Sequence, residues 1–126
     1  MKKKNIYLIS TFDHNINKKQ YTFNVNQILV KDDTSCASTI KKVSNKANLI
    51  ILIPGKLKSY THTSKIIKKI KVPIIYCSID NNDLHDKKNS IIKSVNYIIH
   101  GFKDKSSQIL LESAIKIIKY HGEKKF

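Results

Sequence analysis

The residues of this chain that could do chemistry are few, and they sit where apolar runs end. Ser10, Thr11, Phe12 and Asp13 close the first run, Ile53-Pro54-Gly55 the third, Ser78-Ile79-Asp80 the fourth and His100-Gly101 the fifth. These are hydroxyls, one histidine and two separate aspartates. No pair of carboxylates stands at these run ends for acid–base work, and hydroxyls without a carboxylate make a poor magnesium site. No glycine-rich turn follows the first run, which argues against a standard phosphate loop and, with it, against dinucleotide, nucleoside triphosphate or flavin binding. No cofactor is expected. Ser78 and His100 could touch across neighbouring run ends, although a small terminal serine and a partly exposed histidine is the simpler reading. His62 and His85 stand in no recognisable metal-ligand motif, with no cysteine near either, so no metal site is expected. Cys36 and Cys77 are far apart and read as reduced thiols, Cys36 as an inert one on an apolar helix stripe.

The elements that must position these residues alternate along the chain. Asn5–Ser10, Gln27–Lys31, residues 48–53, residues 72–78 and residues 96–101 read as strands, being short, apolar and β-branched. Between the second and third, Asp33 or Thr34 opens a helix whose Cys36, Ile40, Val43 and Ala47 form one face. Ser59 or Thr61 caps a second helix carrying Ile66, Ile67 and Ile70, which ends before Pro73. Leu84, Ile91, Ile92 and Val95 place a third on "NDLHDKKNSIIKSV". Leu110, Ala114, Ile117 and Ile118 mark the last, with Gly122 as its stop. The third strand is apolar on both parities and must be covered on both faces. Residues 1–126 therefore predict one domain, a flavodoxin-like doubly wound parallel sheet of order 2-1-3-4-5 with helices on both faces. In that arrangement the four polar stretches all lie beyond the carboxyl ends of the strands.

The net charge is +15, carried by 24 basic residues that are all lysine. Such a charge suits nucleic acid, but phosphate and base readers favour arginine for its bidentate fork. The lysines are also spread over nearly every predicted helix, which fits a solvated basic surface better than a dedicated grip. No apolar run is long enough to cross a bilayer, and the basic start lacks the length and cleavage site of a signal peptide. A cytoplasmic location without membrane attachment is expected.

Residues 71–120 bring a family to mind. "PIIYCS", followed by a helix, "NYIIHGF" and a final helix, resembles the CheY-like receiver domain of response regulators, and "NLIILIPGKL" resembles its third strand. The resemblance covers the whole chain in topology and is sharp over about the last 55 residues. It implies a hydroxyl at Ser78, a phosphoacceptor aspartate at the tip of the third strand and metal-binding acids after the first. Ile53 stands in the phosphoacceptor position and Ser10 and Thr11 in those of the acids, with Asp13 nearby. His100 stands for the family's lysine and Gly101 for the following proline. Only Ser78 of the implied site is kept.

Three functional expectations follow. The first is a degenerate receiver, not an enzyme and not switched by aspartate phosphorylation. By resemblance it would bind another protein, or a second copy of itself, through a face that includes Leu84, Tyr97, Phe102 and Tyr120. The second is nucleic-acid binding through the lysines. The third is a TIR-like or other small-ligand domain; its enzymatic form needs a glutamate after the third strand, and the chain's first glutamate is Glu112.

Overall fold

A computed structural model of the chain describes residues 4–12, 24–78, 82–100 and 111–116. Five strands, β1 (Asn5–Ser10), β2 (Asn24–Leu29), β3 (Leu49–Ile53), β4 (Ile74–Cys77) and β5 (Tyr97–Ile99), form one sheet in the order β2-β1-β3-β4-β5. Every neighbouring pair is parallel. Parallel neighbours need crossovers, and α1 (Asp33–Val43) and α2 (Thr61–Ile67) supply those into β3 and β4. This is the flavodoxin-like arrangement of a doubly wound sheet.

Strand parity decides which layer each side chain joins. Leu8, Leu49, Ile51, Ile53, Ile75 and Cys77 pack with Leu111, Ala114 and Ile115 of the helical segment 111–116 on one face. Ile9, Ile50, Leu52, Ile74 and Tyr76 pack with Cys36 and Ile40 of α1, Ile67 of α2 and Ile91 on the other. All five residues of β3 are buried, as a central strand covered on both faces requires. Cys36 is fully buried, and burial raises its thiol to about 11, so it is an inert core residue.

Three local expectations are corrected. β2 spans Asn24–Leu29, not Gln27–Lys31, because its register is set by pairing Asn24 with Asn5, which brings Val25 into the core. α1 is capped by Asp32, whose carboxylate accepts from Ser35 N–H at 2.8 Å while the Ser35 hydroxyl accepts from Asp32 N–H at 3.0 Å. The helix expected over "NDLHDKKNSIIKSV" is absent. Turns closed by Asp86 N–H to Asp83 O and Asn89 N–H to Asp86 O lead into a single 3₁₀ helix, Ser90–Lys93. Asp and Asn side chains bond nearby backbone and polar groups and so compete with helix formation; here Asn89 caps the 3₁₀ helix by accepting from Ile91 N–H at 3.2 Å.

Candidate functional site

The loops beyond the carboxyl ends of the strands are where a doubly wound sheet binds ligands. At the tip of β3, Ile53 is 1% exposed and belongs to the apolar cluster beneath segment 111–116. Ser10 is buried and its hydroxyl donates to Phe12 O at 2.7 Å. The Thr11 hydroxyl donates to Pro54 O at 3.1 Å, tying the β1 loop to the β3 loop. Gly55 follows at φ +66°, a left-handed turn that favours glycine. Both hydroxyls placed by resemblance in the metal-binding positions are thus used to shape loops. His100 is exposed at the end of β5, while Asp13 lies outside the described residues.

Ser78 is organised differently. Its hydroxyl donates to Asp83 Oδ1 at 2.6 Å, and the Tyr76 hydroxyl donates to Asp83 Oδ2. The Asn89 amide completes the group, donating to the Tyr76 hydroxyl and to Asp83 O, each at 3.0 Å. All four side chains are buried, Asp83 to 1% exposure. Burial first, and Asp83 second, push the Tyr76 hydroxyl far above its usual range, so it acts as a fixed donor. A carboxylate with its lone pairs met by buried donors is a structural knot. It holds the β4 loop in the place a helix was expected to fill.

A second carboxylate ties two helices together. Asp33, in the first turn of α1, is buried, yet it accepts from the N-terminus of α2. Its Oδ1 takes Thr63 N–H at 2.9 Å, and its Oδ2 takes His62 N–H at 2.9 Å and His62 Nδ1 at 3.1 Å. The Thr63 hydroxyl donates to Asp33 O at 3.2 Å, and the Ser59 hydroxyl reaches Oδ2 at 3.4 Å. Burial disfavours the charged form of Asp33, but the bonds from Thr63 and His62 outweigh it and hold the carboxyl below its usual range. The N-cap residue of α2 is Tyr60, which gives no side-chain cap; the Ser59 hydroxyl, one of the two expected caps, accepts from Thr61 N–H at 3.4 Å, and Asp33 meets the next two amides. His62 belongs to this constellation although its sequence context gave no role for it. The Asp33–His62 pair has the form of an acid–base couple, but the nearby hydroxyls of Ser59 and Thr63 donate to Asp33 itself and are not poised as nucleophiles.

Two open clefts flank these loops. One, of about 680 Å³, is lined by Lys56, Asn82, His85, Asp86, Lys87 and Lys88. The other, of about 580 Å³, lies between the loops after β2 and β3 and is lined by Lys31, Lys58, Asp33 and His62 among others, with Lys56 common to both. Asp86 is held by Lys88 N–H at 3.0 Å and by the Tyr60 hydroxyl at 3.1 Å. The Lys88 bond, joined by the Tyr60 hydroxyl, keeps its carboxyl below the usual range. Among the described residues no group of three metal-ligating side chains converges.

Of the residues expected on a binding face, Leu84 packs at the edge of the α1–α2 cluster and Tyr97 against the opposite one, so they lie on different faces of the sheet. Ile98, whose side chain alternates with those of Tyr97 and Ile99 on the edge strand, is 41% exposed. Phe102 and Tyr120 lie outside the described residues. No described helix is long and apolar enough to cross a membrane. Compared with protein-family models, curated proteins and solved structures, the chain matches none.

Proposed function

We propose that this chain is a non-catalytic, receiver-like regulatory module that acts through protein–protein contact and is not switched by aspartate phosphorylation. The observation that carries this reading is the tip of β3. Ile53 fills the phosphoacceptor position and is sealed in the apolar core, with no oxygen to accept a phosphoryl group. The hydroxyls of Ser10 and Thr11 beside it are bonded to backbone carbonyls. The order of the sheet supports the resemblance in architecture, and the Ser78–Asp83 bond gives the one retained hydroxyl a structural role. The contact surface is centred on β5, where Ile98 offers exposed apolar area at the sheet's edge. The test is incubation with a small phosphodonor and magnesium, read by intact mass and by hydroxylamine-sensitive labelling. No incorporation is expected. Stoichiometric labelling of any aspartate would overturn the proposal.

A further inference from the structure

Charge is segregated along the strand direction. From Thr34 to Ile79 the chain has nine lysines and no Asp or Glu. Lys56 and Lys58 stand in the loop after β3, at the carboxyl edge. The other seven are exposed and fall at the far ends of the two crossover helices: Lys41, Lys42 and Lys46 around the end of α1, and Lys65, Lys68, Lys69 and Lys71 around the end of α2. The helices pack side by side and each returns to the amino edge of the sheet. There Asn48 N–H bonds Asn5 O at 2.8 Å and Ile50 N–H bonds Pro73 O at 3.1 Å, which brings the two lysine groups together above the starts of β3 and β4. The described acids are elsewhere. Asp32, Asp33, Asp83 and Asp86 lie in or beside the carboxyl-edge loops, and Glu112 is on the segment covering the other face. The Asp33 carboxylate is met by His62, and among the described residues none of these seven lysines pairs with an acid.

Complementing the helix dipole accounts for Lys41, Lys42 and Lys65, which occupy last turns. It does not account for Lys46, Lys68, Lys69 and Lys71, which lie past them. Clustered ammonium groups repel one another unless a polyanion neutralises them.

We propose that this face binds the phosphate backbone of double-stranded nucleic acid without reading its bases. Lysine is a point charge that matches a phosphate but lacks the fork that reads guanine. Among the described residues the exposed large apolar ones, Phe12, Leu29 and Ile98, lie outside α1 and α2, so the two helices offer no aromatic platform for unpaired bases. The chain has no tryptophan or arginine, and no described tyrosine is exposed among these lysines to anchor a protein partner. The apolar faces of both helices are buried against the sheet, so neither can insert into a lipid surface. This face is separate from β5, and the inference does not depend on the receiver reading.

The experiment is fluorescence anisotropy with labelled 20-base-pair DNA and RNA duplexes of several sequences, across a salt series. Wild-type protein is expected to bind all of them, with log affinity falling against log salt at a slope of about −4 to −6. The triple variant Lys42→Glu, Lys65→Glu, Lys69→Glu should bind on the order of a hundredfold more weakly, with a slope shallower by about three. A control of equal charge change at the carboxyl edge, Lys56→Glu, Lys58→Glu, Lys88→Glu, should lose less than about threefold. The triple glutamine variant of the first set, checked for folding by circular dichroism, guards against misfolding. Equal losses in the two glutamate variants would overturn the proposal, as would absence of binding at about 50 mM salt. It would also fall if anionic vesicles bound as tightly as the duplexes with the same dependence on the amino-edge lysines.

Discussion

At the carboxyl edge of the sheet the described acids are held by donors of the fold. Asp32 takes Ser35 N–H, Asp33 caps α2, Asp83 ties Tyr76 to Ser78, and Asp86 takes Lys88 N–H and the Tyr60 hydroxyl. At the amino edge the lysines around the ends of α1 and α2 pair with no acid among the described residues and project into solvent. The first edge uses charge for geometry: each carboxylate fixes a loop or a helix end, and its value depends on atoms placed within 3 Å or so. The second edge uses charge for its field, which depends on how many cations are gathered and on salt, hardly at all on their exact rotamers. Substitutions at the two edges should therefore fail in different ways.

The largest expected effect is at Asp83. Replacing it by alanine removes the buried carboxylate to which the Tyr76 and Ser78 hydroxyls donate. Urea unfolding should show a loss of about 3 kcal/mol or more. Asp83→Asn keeps one acceptor oxygen and should lose less; equal losses in the two variants would mean that volume, not hydrogen bonding, holds the knot.

Next comes Asp33. Asp33→Ala removes the cap of α2 and should cost about 2 kcal/mol. Its carboxyl is held below the usual value of about 3.9, so between that value and the lowered one the unfolded chain binds more protons than the folded one. Its contribution is complete above about pH 5 and is lost as the pH falls through the folded value. Thermal unfolding followed from pH 6 to pH 2.5 should show a steeper acid fall for the wild type than for Asp33→Asn. Parallel curves would assign the fall to other carboxylates.

The smallest effect belongs to the amino edge. Lys68→Glu or Lys69→Glu should change stability by no more than about 0.5 kcal/mol, in the stabilising direction at low salt and vanishing near 0.5 M. A loss of about 2 kcal/mol would show that these lysines carry structure, and would dissolve the contrast between the edges.

Much of the architecture was legible because it rests on apolar periodicity. The buried run Leu49–Ile53, the stripe Cys36, Ile40 and Val43, and the bounds of β1 follow from residue type alone. The β4 loop was not legible. Leu84, Ile91, Ile92 and Val95 have helical spacing, and nothing local says that Asp83 turns inward to meet Tyr76 across a strand end. The cap of α2 was hidden for the same reason, since its acceptor belongs to another helix. Of the candidate site, the burial of Ile53 follows from strand parity. The roles of Ser10 and Thr11 as backbone ties depend on loop geometry that residue types do not encode. The lysines look dispersed in sequence because two groups some 20 residues apart converge only when both crossovers return to one edge.

The bond between Asp33 and the start of α2 also bears on the order in which the chain can assemble. At seven residues α2 is too short to persist alone, and the carboxylate that meets its His62 and Thr63 amides lies some 30 residues upstream. Asp33 can meet these amides only when the first turn of α1 is wound and the two helices lie side by side. A helix that borrows its terminus from an earlier one gives the two a shared fate: α2 locks late, and when α1 frays at its first turn, α2 loosens with it.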